Sequence, residues 1–311
     1  MPTTKGEGTM RGTGRAVLAG LMLVAMTGEA VAADTAKAFT APIEGGTLHY
    51  EMIGGGDQPP LVLVNGGPGL DHRYFHGSPV WEGLSKRRPV VFYDQRGMGR
   101  TTSTIAVDRF TVDMMVADLE ALRVRLGVPK IALLGHSWGG LLSMAYATRH
   151  PDHVSRLVLV GSGAPKIAAH EYLFDKLYPE IAARQVPDDS PAAKMGCKAD
   201  SLEDYGRMAY YDQRNQPRLA AEDNSAFSQE VCTAVMLDAM KLDLFPRLHA
   251  LHVPTLVING RFDANVAPTV AYAISKAIPG ATLDYFEHSG HQPFEEEPDR
   301  FELVVERFLD Q

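Results

Sequence analysis

Gly135-His136-Ser137-Trp138-Gly139 follows directly on an apolar run at 130–134 and leads straight into an apolar-rich stretch at 141–149. A G-x-S-x-G segment between a strand and a helix requires a sharp, strained turn that lifts the serine above the end of the sheet. A Cβ at either glycine would collide with neighbouring backbone, so the small residues are a condition of the turn. Ser137 is thereby presented as a candidate nucleophile. The segment also constrains the fold, because a strand that feeds a returning helix is the unit from which parallel sheets are built.

The rest of the chain keeps that rhythm. Further buried-strand runs stand at 61–64, 89–93, 157–160 and 255–258, and near-continuous apolar strands imply a sheet covered on both faces. Residues 48–53, after the Gly45-Gly46 turn and before Gly54-Gly55-Gly56, read as a short edge hairpin. Met115, Leu119, Leu122 and Leu126 recur at helical spacing and Gly127 stops that helix. After Pro165 the rhythm breaks: 166–251 carries helical patches and a polar stretch at 187–191 but no buried strand, which predicts an inserted helical subdomain. Strands resume at 255 and 281–286, and an amphipathic helix closes the chain at about 299–309. The expected organisation is a leader at 1–33, a first core part at 34–165, the insertion at 166–251 and a second core part at 252–311.

A hydroxyl is a poor nucleophile at neutral pH and needs a general base held in one tautomer by a carboxylate. In this topology the partners lie C-terminal to Ser137. Asp263 follows the strand at 255–258, and the loop after the next strand offers His288 and His291, of which His291 is favoured because Gly290 lets it swing over the strand ends. Read instead as an H-x-x-H metal pair, His288 and His291 lack a third ligand, and a catalytic serine makes a metal redundant, so no metal is expected in this site. The oxyanion formed on attack needs two preorganised donors. These are expected to be the backbone N–H of Trp138, next to the nucleophile, and that of Gly67, in the loop after 61–64.

With these segments in place the chain resembles an α/β-hydrolase, and within that superfamily the proline iminopeptidase (prolyl aminopeptidase) group. The resemblance rests on Asn65-Gly66-Gly67-Pro68-Gly69, Tyr93-Asp94-Gln95-Arg96-Gly97-Met98-Gly99-Arg100, Gly135-His136-Ser137-Trp138-Gly139-Gly140, Gly260-Arg261-Phe262-Asp263 and His291, in family order from about residue 39 to 308. It implies an α/β-hydrolase fold, a mostly parallel sheet with helices on both faces, and a helical cap made by the insertion. It also implies acyl-enzyme chemistry by Ser137, His291 and Asp263 on a small-molecule or short-peptide substrate, releasing an N-terminal residue. Two departures stand out. Asn65 replaces the family's usual histidine, and the Arg-x-Glu-Asn segment whose glutamate holds a substrate amine is missing, leaving Glu171, Glu180, Glu203, Glu222 and Glu230 without distinction. Esterase, lactonase and amidase chemistry on the same fold are therefore the alternative, and a ligand-binding protein with little turnover is a more distant one.

Charge and composition narrow the partners. Thirty Lys and Arg stand against 38 Asp and Glu, for a formal charge of −8 and no basic stripe, which argues against nucleic acid. Gly97-Met98-Gly99 lacks the third glycine of a dinucleotide fingerprint and there is no P-loop, so catalysis without a cofactor is expected. Arg11 and Arg15 precede an apolar run at 16–26, and Ala30, Ala32 and Ala33 follow, the pattern of a secretory signal peptide cleaved after Ala32 or Ala33. The run is too short for a spanning helix, which needs ~20 residues. The expected location is periplasmic or secreted, with no stable membrane association after cleavage. There the only cysteines, Cys197 and Cys232, either pair and clamp the insertion with a disulfide or remain two buried thiols, and the sequence leaves both readings open, the clamp being the hypothesis.

Overall fold

Alternate residues of the central strands belong to two different cores, and this fixes the layers. Val62, Val64, Val91, Tyr93, Leu133, Leu157 and Leu159 pack on one face of the sheet. Leu61, Leu63, Val90, Phe92, Leu134, Val158, Val160 and Ile258 pack on the other. The computed structural model describes residues 36–183, 189–194, 196, 197, 209–212, 214 and 226–311. The leader expected at 1–33 lies outside the described residues, and 34–311 forms a unit of its own.

The nine strands are β1 (Lys37–Ile43), β2 (Gly46–Ile53), β3 (Leu61–Val64), β4 (Val90–Tyr93), β5 (Thr102–Ser103), β6 (Ile131–His136), β7 (Val154–Val160), β8 (Thr255–Gly260) and β9 (Thr282–Phe286). They run in the order β1-β2-β4-β3-β6-β7-β8-β9, with the short β5 on β2. From β4 to β9 every pairing is parallel, whereas β1, β2 and β5 are antiparallel to their neighbours. The expected edge hairpin is β1 and β2, joined at Glu44-Gly45; the 48–53 segment lies in its inner strand, paired with β4, and β1 takes the edge. β1 escapes a sequence reading because its pattern is largely exposed and contains Pro42, which an edge strand tolerates.

On the first face lie α2 (Val112–Leu126), α3 (Trp138–Arg149) and α5 (Pro268–Ala277), and on the second α1 (Val80–Ser85) and α6 (Pro298–Leu309). Helix α2 starts where the Thr111 hydroxyl accepts the Met114 N–H and stops at Gly127, whose φ of 71° closes it. α6 inserts Phe301, Val305, Phe308 and Leu309, against Trp81 and Phe294 among others.

Between β7 and β8 the described residues form only short helices, apart from α4 (Gln229–Ala239). Among the contacts that hold this insertion to the core, two lie beside the loop after β3. Phe227 bridges Leu70, and the Ser228 N–H donates to Gly69 O at 2.8 Å. Cys197 and Cys232 are bonded, with Cα atoms 5.6 Å apart, joining the segment at 189–197 to α4.

Candidate active site

Parallel strands bring their C-terminal ends to one edge, and the loops that leave that edge carry every candidate residue. Ser137 stands between β6 and α3 with φ 56° and ψ −122°, the single non-glycine residue of positive φ among the described residues. Such a conformation costs about 1–3 kcal/mol and persists only where its surroundings enforce it. Here the enforcement is visible. The Ser137 N–H donates to Val160 O at 2.9 Å, and Ser137 O accepts the N–H groups of Gly140 (2.9 Å) and Gly163 (2.8 Å). A Cβ on Gly139 would lie 1.9 Å from Val64 O, and one on Gly135 2.4 Å from Gly139 O, so both glycines of the motif are sterically required.

Asp263, three residues beyond β8, is fully buried. Its Oδ1 accepts the N–H groups of Asn265 (2.9 Å) and Val266 (2.7 Å), and its Oδ2 lies 2.8 Å from His291 Nδ1. That contact places the ring proton on Nδ1 and leaves Nε2 with its lone pair. Nε2 in turn lies 3.1 Å from Asn265 Nδ2, which donates to it. Among the described residues no hydrogen bond joins Ser137 Oγ to the imidazole. His288 takes a different place: it is exposed, and its backbone N–H donates to Glu297. The two histidines of the H-x-x-H pair thus do not converge.

The loop after β3 closes the site from the other side. Gly66 is so near the elbow that a Cβ on it would lie 3.2 Å from Ser137 Cβ. Gly67 has φ 117°, and its N–H, like that of Trp138 at the start of α3, has no acceptor among the described residues. Asn65, where the family has histidine, is fully buried and supports this loop. Its Nδ2 donates to Leu70 O at 2.7 Å, and Gln95 Nε2 donates to its backbone O (2.7 Å) and Oδ1 (3.0 Å). Gln95 Oε1 accepts the Trp138 indole N–H at 2.9 Å, which ties the loop to the elbow helix.

A second relay joins the histidine loop to the same frame. Gly66 N–H donates to the Tyr74 hydroxyl (2.7 Å), which donates to His136 Nδ1 (2.9 Å), and His136 Nε2–H donates to His291 O (3.0 Å). Burial, with His291 nearby, pushes the His136 pKa well below its ordinary value, so the ring stays neutral as the relay requires. The His291 N–H donates to Ala209 O at 2.6 Å, a contact from the insertion onto this loop. Glu296 accepts N–H groups from Gly290 (2.5 Å) and Asp212 (3.0 Å), and burial pushes its pKa up to about 7 against those bonds. Arg96 does not reach the site. It is buried in a two-pronged pair with Asp118, and its Nη1 donates to Glu44 O.

Sequence reasoning missed Asn265, Tyr74 and Gln95, whose roles depend on contacts across loops. Only His136 carried a local signal, as the variable residue before the nucleophile. Of the five insertion glutamates, Glu171, Glu180 and Glu230 are exposed. Glu203 and Glu222 lie outside the described residues.

The geometry agrees with comparison to known proteins. Residues 59–298 match the family model described as alpha/beta hydrolase fold. This chain belongs to the α/β-hydrolase family. It is similar to the proline iminopeptidase of Lactiplantibacillus plantarum, 30% identical over 277 residues that cover 82% of this chain and 94% of the relative. A proline iminopeptidase of Saccharolobus solfataricus is 29% identical over 278 residues, covering 82% and 86%. Among solved structures, an enol-lactonase from Burkholderia xenovorans aligns with a TM-score of 0.70 at 25% identity, covering 88% of this chain and all of the other. An esterase from Exiguobacterium antarcticum shares the fold at TM-score 0.70 and 22% identity, over 88% and 99%. The chain is accordingly a hydrolase of the α/β-hydrolase fold with serine at its elbow.

Proposed function

We propose that Ser137, His291 and Asp263 form a catalytic triad that cleaves small peptides or amides through an acyl-enzyme, in the manner of a proline iminopeptidase-like aminopeptidase. The observation that carries the reading is the strained Ser137 at the head of α3, beside a buried Asp263–His291 pair at 2.8 Å. His291 Nε2 takes the Ser137 proton as Oγ attacks the carbonyl, and Asp263 stabilises the imidazolium that forms. In the resting enzyme Asn265 occupies that lone pair, so substrate entry exchanges the Asn265 donor for the serine hydroxyl. The N–H groups of Gly67 and Trp138, left without acceptors, receive the oxyanion. His291 then protonates the leaving amine, and water repeats the sequence on the ester. The peptidase reading is supported by the two proline iminopeptidases, at 29–30% identity; the enol-lactonase, at 25%, and the esterase, at 22%, do not bear on it beyond the fold.

A second reading is esterase, lactonase or amidase chemistry on a small acyl substrate. It is favoured by the lack of the amine-holding segment and by Glu171, whose carboxylate accepts the Thr269 hydroxyl at 2.6 Å and lies 3.8 Å from Lys176. Hydrolysis of proline β-naphthylamide, alanine and phenylalanine amides, and p-nitrophenyl esters separates the two. The aminopeptidase reading expects the proline amide to be cleaved with the highest kcat/KM; ester cleavage alone sinks it while leaving the triad standing.

We also propose that the enzyme is exported to the periplasm or secreted. The signal-like segment ending near Ala33 and the Cys197–Cys232 bond support this, since such bonds persist in oxidising compartments. Among the described residues no helix is long and apolar enough to cross a membrane.

A further inference from the structure

Away from the triad, a second cluster of titratable groups lies where β2, the turn of helix at His72–Gly77 and the end of β4 meet. His72 Nδ1 lies 2.7 Å from Asp94 Oδ1, so the His72 ring proton sits on Nδ1 and the lone pair on Nε2. That Nε2 is buried, has no hydrogen-bond partner, and lies 3.7 Å from Glu51 Oε2. With a single ring proton, an acceptor nitrogen faces an acceptor oxygen in a side chain only 3% exposed. Such an arrangement is unfavourable unless a cation completes it, either a second proton on the ring or a metal ion. His76 Nε2 lies 3.8 Å from the same Glu51 oxygen, and the three ligand atoms fall within 4.8 Å of one another.

We propose that Glu51, His72 and His76 bind a divalent ion of the zinc class. Two imidazoles and one carboxylate suit zinc, with bonds near 2.1 Å. Ligand atoms on a tetrahedral ion of that size stand about 3.4 Å apart, so the Glu51–His72 and Glu51–His76 spacings must close by a few tenths of an ångström and the spacing between the two histidine nitrogens, which lies within 4.8 Å, by up to about 1.4 Å. The His72 contact with Asp94 is the carboxylate support that metal-bound histidines commonly have. Arg100 fixes the other Glu51 oxygen at 3.5 Å and directs Nη1 at His49 Nε2 at 3.3 Å, while His49 Nδ1 faces Asp94 Oδ2 at 3.3 Å, so neither His49 nitrogen is assigned to this ligand set. His76, 41% exposed, leaves an entry path from solvent, which would supply a water as fourth ligand. The ion would join β2 to the segment that follows the Gly67 loop, bracing that loop with no part in the chemistry. Of the two other acid and histidine clusters among the described residues, His49 with His72 and Asp94 is a poorer candidate because Asp94 already accepts from His72 and from the Arg100 N–H, and Glu120 with His150 and His153 because Arg123 and Tyr146 already occupy the Glu120 oxygens.

Calorimetric titration of the tag-free, chelator-stripped full chain with Zn²⁺, and of the same protein with Co²⁺ followed by its visible spectrum, tests this. One equivalent is expected to bind, with a rise in Tm on saturation. His76→Ala, at a half-exposed position, and Glu51→Gln should each weaken binding at least tenfold while the metal-free proteins keep the circular dichroism of the parent. Absence of saturable binding overturns the site, as does stoichiometric binding that neither substitution changes. Because the readouts are heat, colour and Tm, the result is independent of which substrate the triad cleaves.

Discussion

Ser137 holds a backbone conformation that glycine would adopt freely, and this separates two substitutions that both remove the nucleophile. Ser137→Ala keeps the strain, so Tm should stay close to the parent while turnover falls on the order of a millionfold. Ser137→Gly should be equally inactive yet more stable by about 1 kcal/mol, the strain released less the entropy glycine costs. Thermal melts of the three proteins check the pair. Gly67 invites the opposite experiment. At φ 117° a Cβ would lie 2.8 Å from Gly69 N and 2.9 Å from Leu70 N, so Gly67→Ala must displace the loop. If Gly67 supplies an oxyanion donor, kcat should fall by about 10²–10³ with KM little changed, measured at steady state. Both glycine and serine were legible in the sequence because sharp turns demand particular residues. The Asn65–Gln95–Trp138 chain and the Asn265 contact were not, since each depends on side chains brought together across loops distant in sequence.

At the scale of elements, the insertion is held against the loops that carry the candidate residues. Helix α4 carries Cys232, the residues just before it bond Gly69 and Asp71 of the loop after β3, and Ala209 accepts the His291 N–H. The disulfide closes a separation of 35 residues, for which chain entropy gives about 3–4 kcal/mol. Reduction should therefore depress activity at a lower temperature than it melts the sheet, read by comparing residual hydrolysis with far-ultraviolet circular dichroism. Coincident losses would show that the insertion does not yield first. The central strands were readable because burial on both faces leaves them uniformly apolar. β1 was not, because an edge strand with one exposed face and a proline has no such signature. The insertion was recognised by the lack of buried strands, but its short helices leave few periodic positions from which to read their faces.

For the molecule as a whole, pH couples the loop that carries His291 to stability through Glu296. Its pKa rises from 4.5 to about 7, chiefly through burial and with the Asp212 charge adding, against the N–H groups of Gly290, Asp212 and Tyr211. A carboxyl raised in the folded state binds its proton more tightly there than in the unfolded chain. Its contribution is thus full below pH 4.5 and is lost as pH rises through about 7. Tm measured from pH 5 to 8 should decline in the parent and decline less in Glu296→Gln. The fold, the elbow and the order of the candidate triad residues could all be read along the chain, whereas the substrate could not, since it depends on insertion residues that no motif marks. The central claim is that Ser137 is the nucleophile activated by His291. Peptide mapping after treatment with a serine-directed fluorophosphonate tests it most directly. The account predicts one adduct, on Ser137, forming in the parent and suppressed in His291→Ala; an unlabelled active protein, or an adduct on another residue, would contradict it.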